Sequence, residues 1–384
     1  MNKIPPLFKH QVETSLFINR SNVTYVASDP GTGKTRSVLE AWDKDTVNVG
    51  RMLVVCPKSI MLPAWVADCK KFLPDVTVAV AKAPNSKRRA AFEEGTNIVI
   101  VNHDAAKWLN ANVDLLADFT WLVIDEATAF KNPTSQRTRA LTTVAKHFAK
   151  RIAMSGTPTP NSVMELWSQM KILDTGMRLG SNYYQTRSQL QVPTHEGQFV
   201  KWNDKADAKD KVFDAVADVT IRHKLEEVLD MPEHINRNLE VEISHKLFLL
   251  YEDLAEESRL LLSTGTVDAV NKAVLQNKLL QLCSGAVYNS EGGYSIAHPE
   301  RYELILDLVQ ERSTPTLVAF LWRHQYEQLV ELATKNNIRW AAITTKDSPE
   351  VRNRTVEEFQ AGLYQVLFAH PASAGHGLTL TKAR

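Results

Sequence analysis

Short, continuously apolar runs alternate with longer stretches of helical spacing over roughly the first 158 residues. The runs are apolar at every position rather than at every second one, which is typical of strands buried on both faces of a parallel sheet. Helical patterns such as Lys34–Trp42 and Leu62–Phe72 lie between them. This alternation predicts a doubly wound α/β domain. Its predicted strands are Val23–Ala27, Arg51–Cys56, Thr77–Val80, Asn97–Val101, Trp121–Ile124 and Arg151–Met154.

The composition changes along the rest of the chain. Residues 161–297 are mostly helical in pattern and rich in charge, and residues 299–384 return to the α/β alternation. We therefore expect an α/β fold of two parallel-sheet lobes, the second incomplete, with a mainly helical insertion between them. The expected domains are residues 1–160, 161–297 and 298–384. The strands expected in the last domain are Thr316–Leu321, Trp340–Thr344 and Gln365–Ala369.

Within the insertion, two segments carry apolar residues at helical spacing, His245–Leu262 and Val267–Cys283. They predict two long helices. The tract Tyr288–His298 contains two adjacent glycines and is expected to be a loop.

Composition excludes several classes of protein. The 384 residues include 45 Lys and Arg and 44 Asp and Glu, so the formal net charge is +1. This excludes a generally basic coat protein but not a local basic stripe that binds nucleic acid. No apolar run approaches the roughly 18 residues that a membrane helix needs, and no secretion signal is expected. The three widely spaced cysteines predict reduced thiols in a cytoplasmic protein rather than a metal site or disulfides.

A glycine-rich turn, Ser28-Asp29-Pro30-Gly31-Thr32-Gly33-Lys34-Thr35, follows the first predicted strand and opens a helix. Backbone N–H groups of Gly31–Gly33 and the helix N-terminus are expected to bind phosphate oxygens there. Lys34 is expected to reach the β- and γ-phosphates, and the Thr35 hydroxyl to bind Mg²⁺. Ser28 stands where the eight-residue pattern has its first glycine. A chance glycine-rich turn is the alternative, which the strand–loop–helix context disfavours.

A pair of carboxylates, Asp125 and Glu126, ends the apolar strand Trp121–Ile124. A buried parallel strand delivers such a pair to the ligand-binding edge of its sheet. Beside a phosphate loop, Asp125 is expected to hold Mg²⁺ and Glu126 to deprotonate the attacking water. An isolated Asp-Glu pair is usually a solvated surface, so the combination with the loop is what predicts a nucleotide hydrolase.

These motifs resemble those of the Swi/Snf-type branch of the helicase superfamily two ATPases. Asp125–Asn132 resembles the Asp-Glu-Ala-His box of that branch, with Thr128 in place of the usual histidine. The replacement is expected to alter the coupling of ATP to DNA but not Mg²⁺ binding. Further segments that resemble motifs of the family, in the family's order, are Phe8–Gln11, Val54–Ser59, Val99–His103, Arg151–Pro158, Ile221–Pro232, Thr316–Leu321 and Ser373–Leu380.

The resemblance implies two RecA-like lobes that close on ATP and Mg²⁺. Phe8 and Gln11 would then contact the adenine. Ser155 and Thr157 would couple the nucleotide state to nucleic-acid contact, the alternative being a simple turn. The motif V glycines would approach the nucleotide, and these are Gly375 and Gly377.

The resemblance also implies contacts to nucleic-acid phosphates. The implied contact residues are Lys58, Ser59, Asn102, His103 and Thr379. Lys58 and Ser59 directly follow a strand, where a cation and backbone amides can hold a phosphate. For Asn102 and His103, an ordinary polar loop edge is the alternative.

Motif VI of the family has no counterpart in this sequence. In the family it follows motif V and supplies an arginine to the γ-phosphate, whereas here Ser373–Leu380 is followed by Thr381–Arg384. We therefore expect a fragment, a split protein or a degenerate member of a phage- or prokaryote-like type. A second polypeptide that carries motif VI is accordingly an expected partner.

The function implied by the resemblance is an ATP-dependent translocase on duplex DNA. It would use ATP and Mg²⁺ and work in the cytoplasm, at the nucleoid or in a phage-infected host, without a membrane. The first alternative is a non-hydrolysing clamp that binds ATP and DNA, or an inactive fragment that lacks the arginine finger, and the second is a P-loop kinase. ATP turnover separates the clamp from the motor, and stimulation by DNA separates the motor from the kinase.

Overall fold

The computed structural model describes residues 4–196, 199–230, 235–243, 245–263, 269–288, 293–296, 298–374, 378 and 380–383. The chain divides into two compact units, Met1–Glu233 and His234–Arg384. None of the described helices is both long enough and apolar enough to cross a membrane.

Parallel strands form the centre of the first unit. Its described strands are β1 (Val23–Val26), β2 (Arg51–Cys56), β3 (Val78–Val80), β4 (Ile98–Asn102), β5 (Phe119–Asp125), β6 (Lys150–Met154), β7 (Gln191–Glu196), β8 (Phe199–Asp204) and β9 (Thr220–Ile221). Seven of these described strands make one sheet in the order β3-β4-β2-β5-β6-β1-β9. Every neighbouring pair in that sheet is parallel.

Helices cover both faces of this sheet. The described α-helices of the unit are α1 (Lys9–Arg20), α2 (Lys34–Lys44), α3 (Ala67–Phe72), α4 (Asn85–Glu93), α5 (Ala106–Ala111), α6 (Gln136–Val144), α7 (Glu165–Asp174), α8 (Tyr183–Leu190), α9 (Ala208–Val216) and α10 (Leu225–Val228). On β2, Leu53 and Val55 pack in the hydrophobic cluster that includes side chains of α5, α6 and α7. Met52 and Val54 pack in the cluster that includes side chains of α1, α2 and α3.

This two-sided burial explains the continuous apolar runs, because successive side chains of a strand point to opposite faces. The predicted α/β class is confirmed. All six strands predicted in the first 158 residues are present, and β2 has the predicted bounds.

An antiparallel hairpin of β7 and β8 lies in the stretch that the sequence pattern indicated as mostly helical. Gln191 pairs with Asp204, and Pro193 pairs with Trp202. Proline is tolerated because a two-stranded ribbon has two edges and needs no N–H donor at every position. The hairpin extends directly from the end of α8.

The second unit contains a smaller parallel sheet. Its described strands are β10 (Ala286–Tyr288), β11 (Tyr294–Ile296), β12 (Thr316–Ala319), β13 (Trp340–Ile343) and β14 (Val366–Ala369). Its described α-helices are α11 (His245–Ser263), α12 (Ala269–Cys283), α13 (Glu300–Glu311), α14 (Arg323–Lys335), α15 (Pro349–Gln360) and α16 (Pro371–Ala374). The sheet order is β12-β14-β13, built from the three strands predicted there.

One local expectation in this unit is wrong. The tract Tyr288–His298 was expected to be a loop, but β11 lies within it and pairs antiparallel with β10. The rings of Tyr288 and Tyr294 pack across this pair with their centroids 5.6 Å apart. Gly293 directly precedes β11, and Gly292 lies outside the described residues. The division of the chain into three domains stays a prediction.

Candidate nucleotide and nucleic-acid site

Three loops of the first unit meet at one edge of its sheet. β5, β6 and β1 are neighbours in the sheet and run parallel, so their carboxyl ends lie side by side. β1 is followed by the phosphate loop, β5 ends at Asp125, and β6 is followed by Ser155. The carboxyl edge of such a sheet is where ligands bind in open α/β folds. The topology therefore brings the predicted phosphate, metal and coupling residues together.

Left-handed backbone at two glycines shapes the phosphate loop. Gly31 and Gly33 have φ angles of 86° and 77°, a region that favours glycine. A Cβ atom at Gly33 would collide with the side-chain amide of Gln11. α2 begins at the next residue, Lys34. The loop is thus a turn that only glycine fits, placed at the N-terminus of a helix.

Lys34 folds back over this loop. Its Nζ donates to the carbonyl oxygens of Ser28 and Asp29, at 3.0 and 3.1 Å. Burial lowers the pKa of Lys34, while the charges of Asp125, Glu126 and Asp29 act in the opposite direction. The ammonium therefore lies in the field of the acidic pair, held by contacts that phosphate oxygens can replace. Thr35, the next residue of α2, is half-buried.

Asp125 is fixed by two donors. Its side chain is 6% exposed. Oδ2 accepts from the indole N–H of Trp65 at 2.9 Å, and Oδ1 accepts from the backbone N–H of Glu126 at 2.9 Å. Burial is the main cause that raises the pKa of Asp125 to about 6, opposed by the bond from Trp65. A buried carboxylate held in this way fits Mg²⁺, which takes few protein ligands and keeps the rest of its sphere for phosphates and water.

Glu126 has unusual backbone geometry. Its φ of 51° is left-handed, and the short helical turn Ala127–Phe130 starts directly after it. Such a conformation costs free energy for a residue with a side chain and is found preferentially at functional sites. The sharp turn places a carboxylate at the end of β5 next to Asp125.

The loop after β6 packs directly on the phosphate loop. The N–H of Thr157 donates to Ser155 Oγ at 3.2 Å, which closes a tight turn. A Cβ atom at Gly156, inside this turn, would lie 2.8 Å from Cδ of Pro30. A change in the conformation of either loop therefore requires the other loop to adjust.

A chain of buried hydrogen bonds connects β1 to the end of the turn that follows β6. The hydroxyl of Tyr25 on β1 donates to Gln169 Oε1 at 2.6 Å. Gln169 Nε2 in turn donates to the carbonyl oxygens of Pro158 and Glu165, at 2.9 and 2.8 Å. The strand that leads into the phosphate loop is thus tied to the end of the predicted coupling motif.

Residues of the predicted adenine segment lie against Thr32 of the loop. Gln11 Nε2 donates to the Thr32 carbonyl at 3.3 Å, and His10 Nε2 donates to the same oxygen at 2.8 Å. Phe8 is 57% exposed and stacks on the His10 ring, with centroids 5.8 Å apart and planes within 8°. An aromatic face is therefore available beside the phosphate loop.

A segment near the end of the unit also clasps the phosphate loop. We call residues 222–225 the clasp segment. The N–H of His223 donates to Ser28 Oγ at 3.0 Å, and the N–H of Asp29 donates to the His223 carbonyl at 3.0 Å. The N–H of Leu225 donates to Asp29 Oδ2 at 3.1 Å. Ser28, which departs from the glycine of the usual pattern, thus supplies an acceptor that glycine lacks.

The residues predicted to contact nucleic acid differ in how exposed they are. Lys58 is exposed in the turn that follows β2, and Ser59 beside it is half-buried. Asn102 ends β4 and pairs with Cys56 of the adjacent β2, so it lies at the same edge. This edge is open to a phosphate backbone.

His103 does not lie on that open edge. It is 8% exposed, its Nε2 donates to the Asp125 carbonyl oxygen at 2.8 Å, and its ring packs edge-on against Phe130. Burial lowers its pKa to about 4, so the imidazole is neutral near pH 7. This placement supports the acidic motif and does not fit the predicted direct contact to nucleic acid. Gly375, Gly377 and Thr379 lie outside the described residues.

A comparison with family models decides the relationship of this chain. A model described as SNF2-related domain matches residues 18–285. The chain belongs to the SNF2-related domain family. It therefore carries a helicase-superfamily ATPase domain of SNF2 type, which confirms the resemblance found in its motifs.

Individual SNF2 relatives and structures agree with this. The chain is 29% identical over 98% of its length to putative protein p41 of Acyrthosiphon pisum secondary endosymbiont phage 1, of which it covers 82%. It is 26% identical over 93% of its length to an uncharacterized ATP-dependent helicase of Mycoplasma pneumoniae, of which it covers 34%. The SWI2/SNF2 ATPase core of Sulfolobus solfataricus, solved with double-stranded DNA, matches the whole chain with a TM-score of 0.51 at 21% identity, and 81% of that core is covered. This likeness confirms the fold class.

Several side chains of this SNF2 domain contact the site without having been predicted there. No sequence pattern gave Trp65 or Gln169 a place at the site, and none gave Ser28 a partner. Trp65 lies in the helical turn Met61–Val66 and reaches Asp125 across 60 residues of sequence. Ser28 and Gln169 find their partners across 195 and 144 residues of sequence, which no local pattern shows.

Proposed function

We propose that this SNF2 domain hydrolyses ATP when it is bound to DNA and uses the cycle to move along the duplex. The observation that carries the proposal is the packing of Gly156, in the turn after β6, against Pro30 of the phosphate loop. Occupation of the loop by phosphates would displace Lys34 from the carbonyls it now contacts and shift the adjoining turn. The name of the Mycoplasma pneumoniae relative, an uncharacterized ATP-dependent helicase, and the neighbour solved with double-stranded DNA support this proposal.

The residues at the edge of the sheet divide the chemistry among them. Lys34 binds phosphate oxygens, and the Asp125 carboxylate with the Thr35 hydroxyl provides the hard oxygen ligands that suit Mg²⁺. Mg²⁺, when bound, neutralises charge on the phosphates. Glu126 accepts the proton of the attacking water. Trp65 and His103 hold the acidic strand end from two sides.

The recognition of ATP and DNA is assigned to the flanks of this edge. Phe8 offers a ring for the adenine, and Gln11 is positioned beside it. Lys58, Ser59 and Asn102 contact DNA phosphates. The roles of Gly375, Gly377 and Thr379, and the second polypeptide, stay predictions.

Replacing Lys58 by alanine tests the DNA part of the proposal. We expect duplex DNA to stimulate ATP hydrolysis by the wild-type protein. K58A should weaken DNA binding for all sequences alike and reduce the slope of log affinity against log salt by about 1, because one phosphate contact is lost. Affinity is measured by fluorescence anisotropy at several salt concentrations on two unrelated duplexes.

The matched control is K146A, since Lys146 is exposed just before β6, at the opposite edge of the sheet. It should leave binding and its salt dependence unchanged. A loss in K58A that depends on DNA sequence would contradict phosphate contact by Lys58. No stimulation of the wild-type ATPase by any DNA would contradict the motor.

Replacing Ser28 by alanine tests the clasp on the phosphate loop. S28A removes the acceptor of the His223 N–H, so the loop should leave its binding-competent conformation more often. The apparent affinity for ATP then falls in proportion to the fraction of molecules whose loop is in the binding-competent conformation. We expect KM for ATP to rise about tenfold, equivalent to about 1.4 kcal/mol, with a smaller change in kcat. S28T, which keeps the hydroxyl, should remain close to wild type. Equal KM values for wild type and S28A would show that the clasp does not position the loop.

A further inference from the structure

A cavity of about 560 Å³ lies between α6, α7 and α8, and none of the residues assigned above to ATP, Mg²⁺ or DNA is among those that line it. Its volume is within the range of roughly 300–1,000 Å³ typical of ligand sites. Among the described residues that line it, two are cations, Arg139 and Lys171, and none is a carboxylate. A concave surface with cations and without acidic groups favours an anionic ligand.

The two cations are placed differently. Lys171 Nζ donates to the carbonyl of Ser181 at 2.8 Å and lies 4.7 Å from the centroid of the Trp167 ring. An ammonium has three donors, so these contacts orient it without saturating it. Arg139 is exposed on α6 and forms no ion pair with any described residue. It is therefore available to a phosphate.

A braced aromatic ring stands beside these cations. Tyr184 lines the cavity and is 65% exposed. Its ring packs at 81° against Tyr183, with centroids 5.7 Å apart, and Tyr183 packs at 76° against Trp167 at 5.3 Å. Such edge-on contacts fix the ring of Tyr184 while leaving much of its surface exposed to solvent.

Arg187 of α8 links the same ring to the β7–β8 hairpin. The guanidinium carbon of Arg187 lies 5.4 Å from the centroid of Tyr184 and 4.0 Å from that of Trp202 on β8. The hairpin therefore contributes a support for Tyr184. Because these contacts already order the exposed ring of Tyr184, a ligand that stacks on it causes little further loss of side-chain entropy.

We propose that this cavity binds single-stranded DNA, with one unpaired base stacked on Tyr184 and neighbouring phosphates on Arg139 and Lys171. Aromatic rings beside a positively charged groove are the general means of binding single strands, since every base has a stacking face. Bases inside a duplex have no such face available, so the site distinguishes single strands from blunt duplexes. The inference rests on the proposed function for its choice of DNA, and it adds a separate site for an unpaired strand.

The test compares Y184A, Y184F and R139A with wild type on a labelled oligothymidine and a blunt duplex of equal length. Y184A should weaken oligothymidine binding about 5- to 150-fold, the range for loss of one base–aromatic stack, and leave duplex affinity within about twofold. Y184F should retain binding, since it keeps the ring. R139A should reduce the salt slope for the single strand by about 0.7. The matched control R20A removes an exposed arginine of α1 and should change nothing.

Equal oligothymidine affinities in wild type and Y184A would overturn the proposal, as would equal losses on the single strand and the duplex. Displacement of the oligothymidine by AMP as effectively as by unlabelled oligothymidine would assign the cavity to mononucleotides instead. DNA stimulation of the ATPase is measured on the same variants. Absent stimulation with a Tyr184-dependent single-strand affinity would contradict the motor and keep this site, so the two failures are distinguishable.

Discussion

Replacing Lys34 by alanine should abolish ATP hydrolysis by this SNF2 domain and weaken ATP binding. Lys34 Nζ now contacts the carbonyl oxygens of Ser28 and Asp29, in a loop whose glycine geometry is built for phosphate. Loss of the ammonium removes a preorganised charge from the position where phosphate charge develops. Removal of one such donor costs on the order of 100- to 1,000-fold in rate at other enzymes, and we expect at least that here.

The measurement has two parts. Hydrolysis is followed with saturating duplex DNA, and binding is followed by equilibrium titration with a fluorescent ATP analogue. K44A is the matched control, because Lys44 lies exposed at the opposite end of the same helix. It should leave both quantities unchanged. Near-normal turnover by K34A would remove the phosphate role of Lys34 and with it the interpretation of the loop.

The sheet and its functional edge could be predicted because both depend on local sequence. Strands such as β2 are buried on both faces, so Met52–Cys56 is apolar throughout and cannot be mistaken for a half-exposed strand. Parallel strands direct their carboxyl ends to one edge, so Asp125 at the end of β5 and Ser155 after β6 are expected at that edge. Residue type and strand direction were sufficient for this, whereas the order of the strands in the sheet comes from the structure.

Contacts over long sequence separations could not be predicted in this way. Trp65 lies within the predicted helix Leu62–Phe72, and only its approach to Asp125 across 60 residues makes it a donor to the carboxylate. His103 reads as a polar loop residue, and burial beside Phe130 converts it into a neutral support of the strand end. Both depend on how the helical turn Met61–Val66 and the segment after β4 pack on the sheet, and no local pattern in a single sequence encodes that packing.

Ser28 is a further residue whose role could not be predicted from the local sequence. In the sequence it looks like a weakened phosphate motif, since a hydroxyl replaces the expected glycine. In the structure that hydroxyl accepts the N–H of His223, and Asp29 adds two further bonds to the clasp segment. A departure from a motif can therefore be an added contact, and only the tertiary partner shows which it is.

Replacing Glu126 by glutamine should stop hydrolysis while ATP and DNA binding are kept. Glutamine keeps the shape of glutamate and carries the same backbone cost at a φ of 51°, so the turn into Ala127–Phe130 should survive. It has no basic oxygen to accept the proton of the attacking water. Loss of a general base lowers the rate by roughly 10²- to 10⁴-fold, and bound ATP should accumulate on the DNA-bound protein.

Two measurements on E126Q distinguish a role of Glu126 as general base from a structural role. Hydrolysis is measured in single turnover with excess protein, and ATP affinity by the titration used for K34A. E13Q is the control, since Glu13 is an exposed carboxylate on α1. Loss of ATP binding together with hydrolysis would assign the Glu126 side chain to structure or to metal retention, because the backbone N–H that donates to Asp125 Oδ1 is the same in both proteins. Unchanged hydrolysis would remove Glu126 from the chemistry. If Glu126 acts only as the general base, E126Q should retain its affinity for ATP and lose ATP hydrolysis.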